Sequence, residues 1–372
     1  MKRLQPPALA LVPILSVVLT AAACGSSGSA DPVPDPGTSG GTSGAGTSGS
    51  AGTSGSAGTS GTSGSAGTSG TGTSGTSGSA GTSGTSGTTT APLTIFTIVM
   101  ENHDYAEIVG KTADAPFINS LIDEYALATN YSDSGTHPSL PNYLEMISGS
   151  PQYGGVIDLN PTQSPFPKTA DNLGTQLEAA KIPWRTYEEG MGTACRLTSK
   201  SNPDGNYAPK HDPFFYFTDM QTATPGLCAT NNVDYSQFAA DLAAGTYRYM
   251  WITPNLTNDG HDPDPSVGGV PAQTLKTSDT WAQTNIGAIM NSAAYKANGV
   301  IFLTWDEAEG RSGAGSKDQV VMVVVSPKLK GAKLKSTTAY SHKSYLATVE
   351  DLLKLPRLAT VTSEPAMSEF FK

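Results

Sequence analysis

The chain of 372 residues is short of cysteine, of positive charge and of unbroken apolar sequence. Three cysteines are too few for a metal site built from cysteine ligands alone. The 22 lysines and arginines face 32 aspartates and glutamates, and the net charge of −10 disfavours binding to a nucleic-acid backbone. The apolar run at residues 8–23 is broken by Pro13 and is too short to span a membrane. These shortages argue against a cysteine metal centre and a nucleic-acid partner.

The first 24 residues have the pattern of an export signal. Two basic residues, Lys2 and Arg3, precede the apolar run, three alanines end it, and Cys24 follows. This is the arrangement of a bacterial lipoprotein cleavage site, in which Cys24 becomes the lipidated first residue of the mature protein. We therefore predict a protein anchored by lipid to a bacterial membrane, facing the periplasm or the cell exterior. Ordinary cleavage before Cys24, with release of the secreted protein, is the alternative.

Residues 25–90 consist almost entirely of Gly, Ser, Thr and Ala, in repeated Gly-Thr-Ser-Gly units. Apart from the prolines, Val33 is the one apolar residue larger than alanine in this stretch, so the stretch has nothing with which to build a core. We predict a disordered tether with a mean span of roughly 40–50 Å. The folded domain is then residues 91–372, and it carries the whole acidic charge. Within it, Cys195 and Cys228 predict one disulfide in an exported protein.

Apolar, β-branched segments alternate with segments of helical spacing along this domain. The predicted strands are 94–100, 248–253, 300–305 and 319–326. The predicted helices are 115–128, 140–148, 171–180, 235–243, 280–292 and 344–355. The alternation predicts an α/β fold with a mostly parallel sheet sandwiched by helices. In such sheets, functional groups gather at the carboxyl ends of the strands.

Acidic residues follow two of the predicted strands directly. Glu101 and Asn102 come after the first strand, and Asp306 and Glu307 come after the strand that ends at residue 305. Because both strands end at the same edge of the sheet, these oxygen ligands would converge on a divalent cation. For either pair taken alone, solvated acids or helix caps are the simpler interpretation.

Residues 136–144 contain Ser139, with Pro138 before it and Pro141 and Asn142 after it. The pattern predicts a helix with Ser139 at its N-cap and Pro141 in its first turn. The amides and dipole of that helix end would face whatever Ser139 attacks, which favours an anion such as phosphate. A capped helix without catalytic function is the alternative for this stretch alone.

The five histidines all lie in polar clusters beside a predicted strand end or helix start, and none lies on an apolar helical face. They are His103, His137, His211, His261 and His342.

Together these motifs resemble the bacterial and fungal phosphoesterase family that includes acid phosphatases and phospholipases C. The matching stretches are 98–103, 136–144, 210–214, 254–262, 304–307 and 340–342. More distantly, the chain resembles the alkaline phosphatase superfamily, whose fold the resemblance implies.

The resemblance implies a role for each motif. Ser139 would be both nucleophile and metal ligand, and Asn142 would donate to a phosphoryl oxygen. The other metal ligands would be Glu101, Asn102, Asp306 and Glu307. Lys210 and His211 would bind phosphate. His261 and His342 match histidines that hold a second metal in the two-metal enzymes.

One departure concerns that second metal. Thr257 stands where the two-metal enzymes have an aspartate, so the resemblance implies one metal ion and leaves the second open. In a one-metal site, His211, His261 and His342 would bind phosphate and protonate the leaving group.

The sequence therefore predicts metal-dependent hydrolysis of phosphate monoesters through a phosphoserine intermediate on Ser139. The substrate would be a phosphate ester, and a membrane would be the partner through the lipid anchor. A phospholipase C or other phosphodiesterase is the first alternative. The second is a surface binding protein that has this fold without its chemistry.

Overall fold

A computed structural model describes residues 91–371, except 153–157, 202–204, 223–225, 263–270 and 310–317, and except the side chains of 271–273. The predicted signal peptide, Cys24 and the tether lie outside the described residues. Within the described ranges, no helix is both long and apolar enough to cross a membrane.

The predicted α/β fold is confirmed. The strands are β1 Thr94–Met100, β2 Ala126–Ala128, β3 Tyr131–Ser132, β4 Trp184–Glu188, β5 Asn232–Asp234, β6 Tyr249–Thr253, β7 Gly299–Trp305, β8 Met322–Val325, β9 Leu334–Ser336 and β10 Tyr340–Ser341. The helices are α1 Tyr105–Ile108, α2 Pro116–Glu124, α3 Leu140–Ser148, α4 Leu173–Ala179, α5 Thr218–Thr222, α6 Leu227–Asn231, α7 Phe238–Ala244, α8 Pro271–Asn291, α9 Ala293–Asn298 and α10 His342–Leu353.

Eight of these strands form one sheet in the order β5-β4-β6-β1-β7-β8-β2-β9. Strands β5, β4, β6, β1 and β7 run parallel to one another, β8 is antiparallel to both β7 and β2, and β9 is parallel to β2. Every residue of β1, β6 and β7 is buried, as the continuous apolar runs predicted. Strands β3 and β10 pair separately. Helix α3 packs against α10, and α2 packs against α8.

Several elements differ from the sequence-based expectation. The helix predicted for 280–292 begins at Pro271, and the strand predicted for 319–326 is limited to Met322–Val325. The helix predicted for 115–128 ends at Glu124, because Ala126–Ala128 enters the sheet as β2 between β8 and β9. Strand β4 was not predicted. Its sequence mixes aromatic and charged residues, yet it lies inside the sheet between β5 and β6.

The predicted disulfide is confirmed. Cys195, in the loop after β4, is bonded to Cys228 in α6, and their Cα atoms lie 5.1 Å apart. This bond ties the loop to the sheet edge that ends in β5.

Main-chain hydrogen bonds hold the carboxyl ends of the central strands together. Met100 and Trp305 are register partners in β1 and β7, so the residues that follow them lie side by side. The amide of Asp306 donates to the Met100 carbonyl at 3.0 Å, and the amide of Glu101 donates to the Asp259 carbonyl at 3.0 Å. The predicted convergence of the two acid-bearing strand ends is therefore a direct consequence of the parallel register.

Candidate active site

Ser139 stands at the N-terminal end of α3, as predicted, with Pro141 in the first turn. Its hydroxyl does not cap the helix. It donates instead to Glu101 Oε2 at 2.9 Å, and Lys210 Nζ donates to Ser139 Oγ at 3.3 Å. The serine is buried at 1% exposure, so a carboxylate and an ammonium hold its oxygen in one place.

Asp158 takes the capping position that Ser139 leaves open. Its Oδ1 accepts from the Leu140 amide at 3.1 Å, and its Oδ2 accepts from Lys210 Nζ at 2.7 Å. An anion thus lies at the head of α3, where a helix N-terminus favours negative charge. No motif in the sequence pointed to Asp158.

Glu101 is fully buried, accepts the Ser139 hydroxyl and lies against the side chain of His211. Its Oε1 lies 2.9 Å from His211 Nε2. Burial, the largest single effect, opposes its ionisation, but the attraction of His211 and Lys210 outweighs burial and holds the pKa of Glu101 below its usual value. The ring of Tyr143, in α3, stacks on His211 at a centroid distance of 5.0 Å. Glu101 is therefore a positioned carboxylate next to the serine.

Asp306 is fully buried beside Asn102. The Asn102 amide N–H donates to Asp306 Oδ1 at 3.3 Å. Burial and the charges of Glu101 and Glu307 raise the pKa of Asp306 well above its usual value. Glu307 is affected in the same way, chiefly by burial and Glu101, and its pKa rises to about 9. The negative charges of Glu101, Asp306 and Glu307 therefore oppose one another at this strand end.

The donor set here fits a divalent cation. Asp306 Oδ2 and Asn102 Oδ1 are buried and have no hydrogen-bond partner among the described residues. Together with Glu101 and the Ser139 hydroxyl, they offer oxygen ligands for a hard or borderline divalent cation such as Mg²⁺, Mn²⁺ or Zn²⁺. A cation would satisfy both unpaired oxygens and balance the clustered acids.

Glu307, predicted as a further ligand, is occupied by three donors. Its Oε2 lies 2.5 Å from His137 Nδ1 and accepts from Asn142 Nδ2 at 3.1 Å. Its Oε1 accepts from Asn102 Nδ2 at 3.4 Å. The contact with Asn102 turns that residue's free Oδ1 away from Glu307.

Asn142 uses both ends of its side chain within the loop that leads to Ser139. Its Oδ1 accepts from the Ser134 amide at 3.0 Å, and its Nδ2 donates to the Thr136 carbonyl at 2.8 Å as well as to Glu307. Donation to a phosphoryl oxygen, as the resemblance implies, would replace one of these contacts.

His342 is fully buried, and both of its ring nitrogens have partners. Its Nε2 lies 2.6 Å from the main-chain carbonyl of Asp306, and its Nδ1 lies 2.9 Å from Tyr131 Oη. Since a carbonyl only accepts, Nε2 carries the proton. The structure thus places His342 behind Asp306, where it supports the strand end.

His261 is the partly exposed histidine of the site, with 38% of its side chain exposed. A hydrogen bond from Nδ1 to Asp262 Oδ1 at 2.8 Å outweighs burial and raises the pKa of His261. Its amide donates to Asp259 Oδ1 at 2.9 Å. Gly260 makes this turn with φ +103°, and a Cβ there would lie 2.8 Å from Ser278 Oγ. His261 therefore lies on a tightly fixed turn, where Asp262 favours its charged form.

Three candidate functional residues were not assigned a role from the sequence. Asp259 Oδ2 lies 3.6 Å from His211 Nδ1 and completes an acid–histidine–acid series that ends at Glu101. His137 was noted only as a member of a polar cluster, although its neighbour Ser139 marked the motif. Asp158 has no local signal in the sequence. His103, also noted without a role, contacts Glu107 at 3.3 Å.

Comparison with known proteins identifies relatives of this chain. The sequence model described as the Phosphoesterase family matches residues 111–356. A "Probable acid phosphatase" of Kluyveromyces lactis is 28% identical over 272 residues, which are 71% of this chain and 58% of the yeast protein. A "Phosphatidylinositol-3-phosphatase" of Mycobacterium tuberculosis is 27% identical over 278 residues, 74% of this chain and 82% of that protein. The chain thus spans little more than half the length of the yeast relative.

A solved structure gives the same fold. It is a protein "in the Alkaline Phosphatase Superfamily" from Vibrio parahaemolyticus, with a TM-score of 0.50 at 11% identity over 74% of this chain and 71% of that one. The similarity extends the alkaline-phosphatase-like architecture to this chain.

Proposed function

Because this chain belongs to the phosphoesterase family, we propose that it hydrolyses phosphate monoesters with a bound divalent cation, through a phosphoserine on Ser139. The observation that carries the proposal is the Ser139 hydroxyl, held between Glu101 Oε2 at 2.9 Å and Lys210 Nζ at 3.3 Å at the head of α3. A buried serine fixed between an acid and a cation, at an anion-favouring helix end, fits attack on phosphate.

Glu101, Asn102, Asp306 and Ser139 would hold the cation. Bound there, a divalent cation lowers the pKa of a coordinated hydroxyl and offsets charge on phosphoryl oxygens. Glu307, through its contact with Asn102, would orient the ligand amide, and His342 would fix the Asp306 main chain. His211 would hold the Glu101 carboxylate, with Asp259 behind it.

The reaction would have two displacements. Ser139 passes its hydroxyl proton to Glu101 Oε2 as Oγ attacks phosphorus, the bond from phosphorus to the ester oxygen breaks, and the alkoxide takes a proton from His261. Water then gives a proton to His261 as it attacks phospho-Ser139. The bond from phosphorus to Oγ breaks, Ser139 takes its proton back from Glu101, and phosphate leaves. Lys210 Nζ and the Leu140 amide, which Asp158 would release, would hold the phosphoryl oxygens throughout.

A phosphoinositide monoester is the second candidate substrate. The mycobacterial relative, of which this chain covers 82%, is named a phosphatidylinositol-3-phosphatase. A lipid on Cys24 with the tether of residues 25–90 would place the domain near such headgroups. Phosphodiester cleavage and binding without catalysis remain the rival functions to be tested.

Paired chromogenic esters test the proposed reaction. We expect hydrolysis of 4-nitrophenyl phosphate at least roughly tenfold faster than that of bis(4-nitrophenyl) phosphate, because Lys210 matches the extra charge of a monoester. Activity should disappear after chelation and return with added divalent cation. Equal or higher rates on the diester would favour a phosphodiesterase, and no hydrolysis by the cation-loaded protein would favour a binding protein.

Removing Asp158 should strengthen phosphate binding. Asp158 occupies Lys210 and the Leu140 amide, the same groups that we assign to phosphate. We expect Asp158→Ala to lower the inhibition constant of inorganic phosphate by about tenfold, or ~1.4 kcal/mol. Exposed Asp171 provides the matched control, and Asp171→Ala should leave the constant unchanged. Weaker phosphate binding in Asp158→Ala would show that Asp158 supports the site instead of competing for it.

The pH profile should depend on Asp262. A proton donor works only below its pKa, and Asp262 raises the pKa of His261. Asp262→Asn should therefore move the alkaline limb of kcat/KM to lower pH, since the variant's histidine loses its proton earlier. An unchanged alkaline limb would remove His261 as the donor.

A further inference from the structure

We propose that Asp133, His137 and Asp318 form a second divalent-cation site, separate from the ligands assigned around Ser139. Their ligand atoms all lie within 4.8 Å of one another. His137 Nε2 lies 3.5 Å from Asp318 Oδ2 and 4.0 Å from Asp133 Oδ2. The side chain of His137 is 13% exposed, that of Asp318 9% and that of Asp133 0%, so this is an enclosed cluster and not a solvated surface.

Two atoms of the cluster point to a ligand. Asp133 Oδ2 and His137 Nε2 are both buried and have no hydrogen-bond partner among the described residues. The other oxygen of Asp133, Oδ1, accepts hydrogen bonds from the amides of Gly135 at 2.8 Å and Asp318 at 2.9 Å. These two bonds fix the carboxylate, so Oδ2 is held facing His137 and accepts no hydrogen bond from the described residues. An unpaired buried carboxylate oxygen is costly unless a cation meets it.

The distances suit shared ligation better than direct pairing. Contacts of 3.5 and 4.0 Å are too long for hydrogen bonds from Nε2. Ligands about 2.1 Å from one tetrahedral Zn²⁺ lie roughly 3.4 Å apart, close to the observed separations. One histidine and two carboxylates are a donor set for a borderline ion such as Zn²⁺ or Mn²⁺.

Glu307 gives His137 the support that metal-bound histidines have. His137 Nδ1 lies 2.5 Å from Glu307 Oε2, while Nε2 faces the two aspartates. A histidine that donates one N–H to a carboxylate presents the other nitrogen's lone pair to a metal. Glu307 thus orients His137 on one side and Asn102 on the other, so it lies between the two cation sites.

A cation here would fix the segment that leads to the nucleophile. Asp133 directly follows β3, and six residues later the chain reaches Ser139. Asp318 comes from the other side, where its carbonyl accepts from the Asp133 amide at 3.0 Å. The site would join the two segments by side chains as well as by the main chain. It does not depend on the proposed hydrolysis, since its property is cation binding.

Cation stoichiometry tests the proposal. The full domain with its disulfide intact would be stripped with chelator, titrated with Zn²⁺ by calorimetry, and analysed for bound zinc after gel filtration. We expect Asp318→Asn to bind one Zn²⁺ per chain fewer than wild type, and Asp306→Asn, which affects the other site, also one fewer. The double variant should lose two. Asp171→Asn, on an exposed position, should match wild type.

The outcomes separate the two sites. If Asp318→Asn keeps the wild-type stoichiometry while Asp306→Asn loses one ion, the second site does not exist. If Asp318→Asn loses one ion and Asp306→Asn loses none, the second site stands and the ligand set at Ser139 is wrong. His137→Gln tests the same site if Asp318→Asn fails to fold. A His137→Gln protein that has the circular dichroism of the native fold and binds one Zn²⁺ fewer supports the site. The same native spectrum with unchanged Zn²⁺ stoichiometry overturns it.

Discussion

Replacing Ser139 with alanine should reduce monoester hydrolysis by at least roughly a thousandfold, because it removes the oxygen that attacks phosphorus. The fold should survive, since the Ser139 hydroxyl makes no capping bond and Asp158 caps α3 at the Leu140 amide. Rates on 4-nitrophenyl phosphate, together with thermal melting, measure both effects.

A control variant at a second serine distinguishes loss of the nucleophile from the general effect of removing a serine hydroxyl. Ser120 is exposed on α2, and its hydroxyl donates to a main-chain carbonyl within the helix. Ser120→Ala should keep full activity. Acid-quenched wild-type protein should carry phosphate on Ser139, and the alanine variant should carry none. Near-wild-type turnover in Ser139→Ala would rule out the phosphoserine route.

Replacing Asp306 with asparagine should reduce turnover by at least about a hundredfold and weaken binding of the catalytic cation. The same change should raise the melting temperature of the cation-free protein. Asp306 is fully buried, its Oδ2 has no hydrogen-bond partner among the described residues, and Glu101 and Glu307 lie near it. A neutral amide of the same shape relieves this repulsion.

The two effects of Asp306→Asn have opposite signs, which makes the test selective. Melting curves with and without added cation, beside the kinetics, would reveal both. Asp123→Asn, on the exposed face of α2, is the control and should change neither. A cation-free variant less stable than wild type would mean that Asp306 supports the fold by a contact other than metal binding.

The position of the site could be predicted because it depends on apolar runs and parallel register. Strands β1 and β7 are recognisable from unbroken buried sequence, and their ends deliver Glu101 and Asp306 to one edge of the sheet. The start of α3 could also be predicted from the sequence, since Pro141 restricts where a helix can begin.

The partners of individual side chains could not be predicted in the same way. His342 begins α10 within a polar motif, but only the contact of its ring with Tyr131 shows that the ring faces the Asp306 main chain. Asp158 reaches Lys210 across 52 positions of sequence. Strand β4 was hidden because its aromatic and charged residues lack a strand's usual pattern, and neighbouring strands decide its conformation.

The main-chain bonds that hold the two acid-bearing strand ends have a consequence for redesign. The Glu101 amide donates to Asp259 and the Asp306 amide donates to Met100, so main-chain bonds hold both strand ends, and the Asp306 side chain adds one bond from the Asn102 amide. The ligand side chains can therefore be exchanged while the main-chain hydrogen bonds of the strand ends are kept. Exchanging a carboxylate for an imidazole at residue 306 changes the hardness of the donor set, and hence the metal preference, while the backbone geometry stays as it is.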